Sequence, residues 1–271
     1  MTHIPAEILQ HYRSIDEGAR ITDGYGELEL LRTQEIVRRH LPAGPLRVLD
    51  VGGATGVHAA WLAVDGHRVV LFDVVPEHVR AAQELAARTP AIVASIGDAR
   101  ALPVADASFD AALVLGPLYH LTDRSDRLAA LREAGRAVRP DGLIFVAAIS
   151  RFASLFVGLA RGFLFDAEFR AIAEADLATG QHRNPSNRPH WFTTAYFHHP
   201  DELRDECIQA DLQVIEVVGI EGLAGWLSHL ADRWRAPADR EVILRAARVI
   251  ESEPTLLGLS SHLLAVTRVP N

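Results

Sequence analysis

Val48-Leu49-Asp50-Val51-Gly52-Gly53-Ala54-Thr55-Gly56 reads as a buried strand that runs into a tight glycine turn, with a helical pattern after it. A second apolar run, Arg68-Val69-Val70-Leu71-Phe72, ends in Asp73. A glycine turn after one strand and a carboxylate at the tip of the next is how a parallel α/β sheet holds a nucleoside. The stretch therefore predicts a small-cofactor site and, with it, an enzyme.

The dinucleotide fingerprint requires glycine at the first, third and sixth turn positions. Counted from Gly52, these are Gly52, Ala54 and Val57, so two of the three fail. A carboxylate, one residue and then Gly-x-Gly-x-Gly fits better, as Asp50, Gly52, Ala54 and Gly56, with Gly53 inside the turn. That pattern resembles the first motif of the class I S-adenosylmethionine (SAM)-dependent methyltransferases, with Ala54 at the middle glycine. Charge agrees: Asp50 beside the turn would repel a pyrophosphate but attract the sulfonium and ammonium of SAM. The resemblance implies that Asp73, followed by Val74, accepts from the ribose hydroxyls. Each aspartate taken alone also reads as an ordinary turn or strand-end residue.

Further segments extend the resemblance across about residues 46 to 150. Ser95-Ile96-Gly97-Asp98-Ala99 stands where the family recognises adenine, which implies that role for Asp98 and Ala99. Phe109 to Leu121, ending Leu115-Gly116-Pro117-Leu118-Tyr119-His120-Leu121, looks like the fourth motif. Leu115 then sits at a strand tip, and Tyr119 and His120 are the candidate catalytic residues at the pocket mouth. Arg139-Pro140-Asp141-Gly142 resembles the turn before strand five. Tyr12, Glu17, Arg20, Glu29, Arg32 and Thr33 resemble the leader of bacterial small-molecule members. This implies that Tyr12 and either Arg20 or Arg32 close over the methionine carboxylate, for which a guanidinium fork is suited. A solvated helix face with i,i+3 ion pairs is the competing reading.

Along the chain, residues 5 to 41 carry helical spacing broken by Asp23-Gly24-Tyr25-Gly26, which predicts two helices. Strands are then predicted at 47–50, 68–72, 91–95, 109–115, 143–149, 213–218 and 262–269. Helices are predicted at about 56–64, from Pro76, and at 123–138, 200–210, 223–234 and 239–251. Strands alternating with helices imply a doubly wound parallel sheet. The expected fold is α/β: a seven-stranded, mostly parallel sheet whose last strand is antiparallel, with N-terminal helices and a helical cap inserted after strand five. The chain is expected to be one methyltransferase domain, divided into a leader (1–45), a SAM-binding core (46–150), a cap or lid (151–199) and the C-terminal part of the sheet (200–271).

The cap is rich in aromatic and imidazole groups, including His190-Trp191-Phe192 and Tyr196-Phe197-His198-His199. An aromatic insertion over the strand ends suits an organic substrate, so His190, Trp191 and Tyr196 are the candidate substrate residues. The alternative is that these rings only pack the cap onto the sheet.

With 27 basic and 35 acidic residues, a net charge of -8 and no Lys/Arg run, the chain is not expected to bind nucleic acid generally. The single cysteine, Cys207, excludes an internal disulfide and a cysteine zinc site. A cytoplasmic location is expected, since the N-terminus lacks a basic-then-apolar signal pattern and no apolar run approaches the roughly 20 residues of a membrane span. The 13 histidines include no His-x-His or His-Glu-x-x-His pattern, and no metal is expected. The implied function is methyl transfer from SAM to an oxygen or nitrogen of a small-molecule acceptor, with S-adenosylhomocysteine as product. The alternatives are an NAD(P)-dependent oxidoreductase and a non-catalytic SAM-binding regulator. Whether the protein is a monomer or a homodimer is open at this point.

Overall fold

The computed structural model describes residues 7, 8, 12, 24–227 and 229–271. Its centre is a seven-stranded sheet in the order β3-β2-β1-β4-β5-β9-β8. The strands are β1 (Arg47–Val51), β2 (Arg68–Asp73), β3 (Ile92–Ile96), β4 (Phe109–Val114), β5 (Val138–Ile149), β8 (Gln213–Gly219) and β9 (His262–Arg268). The first five pair in parallel, and β9 lies antiparallel between β5 and β8. This is the expected fold, antiparallel final strand included.

Alternation along each strand supplies two cores. In β1, Leu49 and Val51 face a cluster completed by Leu128, Leu131 and Ala134 of α5 (Arg124–Ala137) and by Leu203 of α8 (Pro200–Gln209). Val48 faces the other side, where Ile36 and Val37 of α1 (Gly24–His40) meet Ala59 and Leu62 of α2 (Val57–Val64). Leu49, Leu62, Leu113 and Leu131 are completely buried. At about 1.5–3 kcal/mol for each fully buried aliphatic side chain, these layers fix the sheet and so the positions of its strand tips.

Three local expectations are corrected. Arg139-Pro140-Asp141-Gly142 is not a turn before β5 but part of it. Pairing already begins at Phe109↔Val138, the register slips before Ala111, and Asp141 takes a positive φ of 61°. The bulge stays in the sheet because Asp141 N–H donates to the Val269 carbonyl and Val269 N–H to that of Gly142. The helix predicted over 223–234 is a 3-10 turn (Gly222–Trp226) followed by the short α9 (Leu230–Trp234), because His229 at φ 61° cannot continue a right-handed helix. Lastly, Gly24-Tyr25-Gly26 opens α1 rather than breaking it. Of the helix expected before it, Glu7, Ile8 and Tyr12 are described and helical, and the rest lies outside the described residues.

The connection between β5 and α8 forms the cap. It holds α6 (Ala153–Arg161), α7 (Ala167–Thr179) and a small antiparallel ladder of β6 (Gln181–His182) and β7 (Ala195–Tyr196). Further helices are α3 (Pro76–Ala86), α4 (Pro117–His120) and α10 (Pro237–Ile250). Among the described residues, no helix is long and apolar enough to cross a membrane.

Candidate functional site

The C-terminal tips of β1, β2 and β4, with the loop after β3, open onto a cavity of about 260 Å³. Its wall includes Asp50, Gly52, Gly53, Ala54, Asp73, Val74, Asp98, Ala99, Leu115, Tyr119, His120 and Tyr12. Residues spread over more than a hundred positions of sequence meet there because parallel strands present all their C-terminal ends on one edge.

The first turn is built for close backbone approach. Gly52 N–H and Gly53 N–H both donate to the Phe72 carbonyl, at 2.7 and 3.2 Å, which ties the turn to β2. A Cβ on Gly52 would lie 2.5 Å from Pro117 Cγ, and one on Gly53 would lie 2.5 Å from Asp50 Oδ2 and 2.6 Å from Leu71. Ala54, at the middle glycine's position, accepts a left-handed φ of 46° and donates its N–H to Asp73 Oδ2 at 3.0 Å. Asp73 Oδ1 accepts from Val75 N–H at 2.8 Å, so this carboxylate locks the turn to the tip of β2. Gly56 begins α2 and faces Leu85 rather than the cavity.

Asp50 is 1% exposed, and its Oδ2 has no hydrogen-bond partner. Burial, and after it the charge of Asp73, pushes its carboxyl from the ordinary 3.8 up to about 7. A buried, unpartnered carboxylate on a cavity wall fits a cationic ligand group. Asp98 is held by Arg100, whose N–H donates to Oδ1 at 2.8 Å and whose Nη2 donates to Oδ2 at 2.9 Å. Also on the cavity wall, His120 places Nδ1 3.2 Å from the Thr194 carbonyl, which can only accept. That contact makes Nδ1 the protonated nitrogen and leaves Nε2 to accept from the Tyr12 hydroxyl at 2.5 Å. Tyr119 packs edge-on against the His120 ring, and Phe192 stacks on it with centroids 5.8 Å apart.

Residues 48–142 match the family model described as "Methyltransferase domain". This match over about a third of the chain, with the order of the sheet, supports a class I SAM-dependent methyltransferase. An uncharacterised methyltransferase of Mycobacterium tuberculosis is 38% identical over 102 residues, which are 38% of this chain and 39% of that protein. The chain thus spans about two fifths of the length of the mycobacterial relatives it matches. A ubiquinone biosynthesis O-methyltransferase of Methylobacterium nodulans is 29% identical over 206 residues, 76% of this chain and 73% of its own. A Thermotoga maritima structure described as a possible histamine N-methyltransferase superposes with a TM-score of 0.58 at 19% identity, over 98% of this chain and 100% of that one. At that identity the likeness is one of fold. SAM is the cofactor of the class I methyltransferases. The residues on the wall fit it: carboxylates converge on the cavity, one of them is unpartnered, and the turn leaves no room for a side chain at Gly53.

Several candidate residues lie elsewhere. Arg32 is buried in ion pairs with Glu35 and Glu251 and donates Nε to the Ile220 carbonyl, so it ties α1 to the end of α10 and is absent from the cavity wall. Arg20 lies outside the described residues. His190 is exposed. Trp191 is buried edge-on against Phe169 under the Arg188 guanidinium. Tyr196 lies beneath the Arg127 guanidinium, 3.7 Å from its ring centre. None of these three lines the cavity, because the cap uses its aromatic side chains to build its own core and its seam with the sheet. The cap reaches His120 through Phe192 and the Thr194 carbonyl instead.

The sequence reading missed His78, Thr55 and His58, which all line the cavity. The signal for His78 was Pro76, which starts α3 so soon after Asp73 that its first turn doubles back over the strand tip. Glu29 also lines the cavity. It stands with Glu221 and His262 in a group whose potential ligand atoms lie within 4.8 Å of one another. Local spacing could not reveal that group, since its members come from α1, the segment after β8 and the start of β9.

Proposed function

We propose that this protein transfers the methyl group of SAM to an oxygen or nitrogen atom of a small-molecule acceptor, and that a hydroxyl is the preferred acceptor. One observation carries this reading. A single cavity is lined by Asp50, Asp73 and Asp98 and also by the hydrogen-bonded Tyr12–His120 pair. Asp50 would face the cationic amino-acid end of the cofactor, Asp73 its ribose and Asp98 its adenine.

SAM, when bound, supplies an activated methyl carbon with a good leaving group already in place. The chain's contribution is to align the acceptor with that carbon and exclude water. A neutral hydroxyl must lose its proton as it attacks, and His120 Nε2 is an acceptor at the cavity wall. With an acceptor bound, His120 would exchange the Tyr12 hydroxyl for the acceptor's, or receive the proton through Tyr12. Tyr119 supplies flat apolar surface on the cavity wall beside His120, whose ring Phe192 backs, and this suits an aromatic or otherwise planar acceptor. The O-methyltransferase relative of Methylobacterium nodulans supports the choice of oxygen.

The test is incubation of the full chain with SAM and a panel of phenols, catechols, quinols and amines, with S-adenosylhomocysteine measured as product. Turnover confined to hydroxyl acceptors and lost in His120→Ala supports the reading. Turnover only with amines, unchanged in His120→Ala, overturns the choice of acceptor and base.

A further inference from the structure

Among the described residues, two that line the cavity each hold a buried side-chain atom with no hydrogen-bond partner, Asp50 Oδ2 and His78 Nδ1. The first is met by the cationic end of the cofactor in the reading above. The second has no role in it. His78 sits in the first turn of α3 and is 7% exposed. Its Nδ1 stands 3.5 Å from Asp73 Oδ1, without the geometry of a directed hydrogen bond. The Tyr12 ring packs edge-on against the imidazole with centroids 5.1 Å apart, which braces the ring.

We infer that His78 is a second ligand of the cofactor's ribose. This rests on the cofactor reading proposed above. Asp73 already accepts backbone hydrogen bonds on both oxygens, from Ala54 and Val75, and each oxygen has one lone pair left for a ribose hydroxyl. A hydroxyl that donates to Oδ1 still has lone pairs of its own, and they need a donor. His78 Nδ1–H is that donor. Two atoms 3.5 Å apart both reach hydrogen-bond distance, about 2.8 Å, of one oxygen placed between them. The hydroxyl then donates to the carboxylate and accepts from the imidazole, and the buried Nδ1 gains its partner. A leucine or methionine would fill the same helical position without leaving a buried nitrogen unpaired, so packing alone does not account for a histidine here.

Calorimetry on the full chain tests this, with S-adenosylhomocysteine and its 2′-deoxy and 3′-deoxy analogues as probes. His78→Leu is expected to weaken S-adenosylhomocysteine about tenfold, the worth of one hydrogen bond. His78→Asn, which keeps a donor near the position of Nδ1, is expected to recover most of that loss. The Leu variant and the unaltered chain are expected to bind one of the two deoxy analogues equally, which names the hydroxyl. The inference is overturned if His78→Leu binds S-adenosylhomocysteine as tightly as the unaltered chain. It is equally overturned if the loss is the same on all three probes, since that is a packing defect. If the unaltered chain takes up none of the probes, the cofactor reading fails as well, and that outcome is distinct from the other two.

Discussion

Replacing Asp50 with asparagine is expected to stabilise the ligand-free protein at alkaline pH while damaging cofactor binding. The carboxyl titrates at an ordinary 3.8 in the unfolded chain and at about 7 in the folded one, raised first by burial and then by Asp73. Between those values the folded state holds a proton that the unfolded state has released. Stability therefore falls as pH rises through that window and levels off above 7. At about 1.4 kcal/mol per pH unit, the ionised, unpartnered carboxylate costs the folded state about 4 kcal/mol. Asparagine removes the charge but leaves a buried amide without a designated partner, a cost of about 1–3 kcal/mol. The net expectation is a gain of about 2 kcal/mol at pH 8 and no gain at pH 4.5. For a chain of this size the gain is a rise of roughly 4–8 °C in Tm. Thermal unfolding of both proteins across pH 4–8 measures it. A second readout is calorimetry with S-adenosylhomocysteine in two buffers of different ionisation heat. Near pH 6.5 the unaltered chain is expected to release a proton on binding, and Asp50→Asn to release none and bind at least tenfold more weakly. If Asp50→Asn is less stable than the unaltered chain at pH 8, the carboxylate has a compensating partner and the argument from its isolation is wrong.

Other perturbations separate the parts of the site. His120→Ala is expected to lower kcat for a hydroxyl acceptor by roughly 10²–10⁴-fold with little change in cofactor affinity, measured by single-turnover assay and titration. Asp73→Ala removes the acceptor for two backbone N–H groups, and is expected to weaken S-adenosylhomocysteine at least tenfold and lower Tm. Arg127→Ala leaves Glu206 buried without its bidentate partner, and is expected to cost about 3–5 kcal/mol in denaturant unfolding. Ala54→Gly relieves a left-handed alanine, and is expected to change stability by less than about 1 kcal/mol, because the relief is offset by the added freedom of the unfolded chain.

The sheet was legible because its evidence is local. Each strand is an apolar run, each return is a helix or a turn, and the carboxylates Asp50, Asp73 and Asp98 mark successive strand ends. Those positions follow from chain geometry once the strands are placed. The Arg139–Gly142 segment misled because Pro and Gly beside an aspartate signal a turn in most settings, whereas here the bulge is held by Val269. The acceptor side was not legible for a different reason. Trp191 and Phe192 are neighbours of the same chemical type, yet one is buried in the cap and the other stacks on His120. What separates them is a positive φ of 64° at Phe192, which depends on the tertiary frame. Arg32 likewise could not be separated from a cofactor clamp until Glu251, far along the chain, was seen beside it.

The claim at the centre of this account is that one cavity at the strand ends holds the SAM nucleoside. A crystal structure of the full chain with S-adenosylhomocysteine tests it most directly. The account predicts the ribose at Asp73, the adenine beside Asp98 and Ala99, and the amino-acid end next to Asp50. A nucleoside bound outside this cavity, or one lying across it with its ribose away from Asp73, would contradict it.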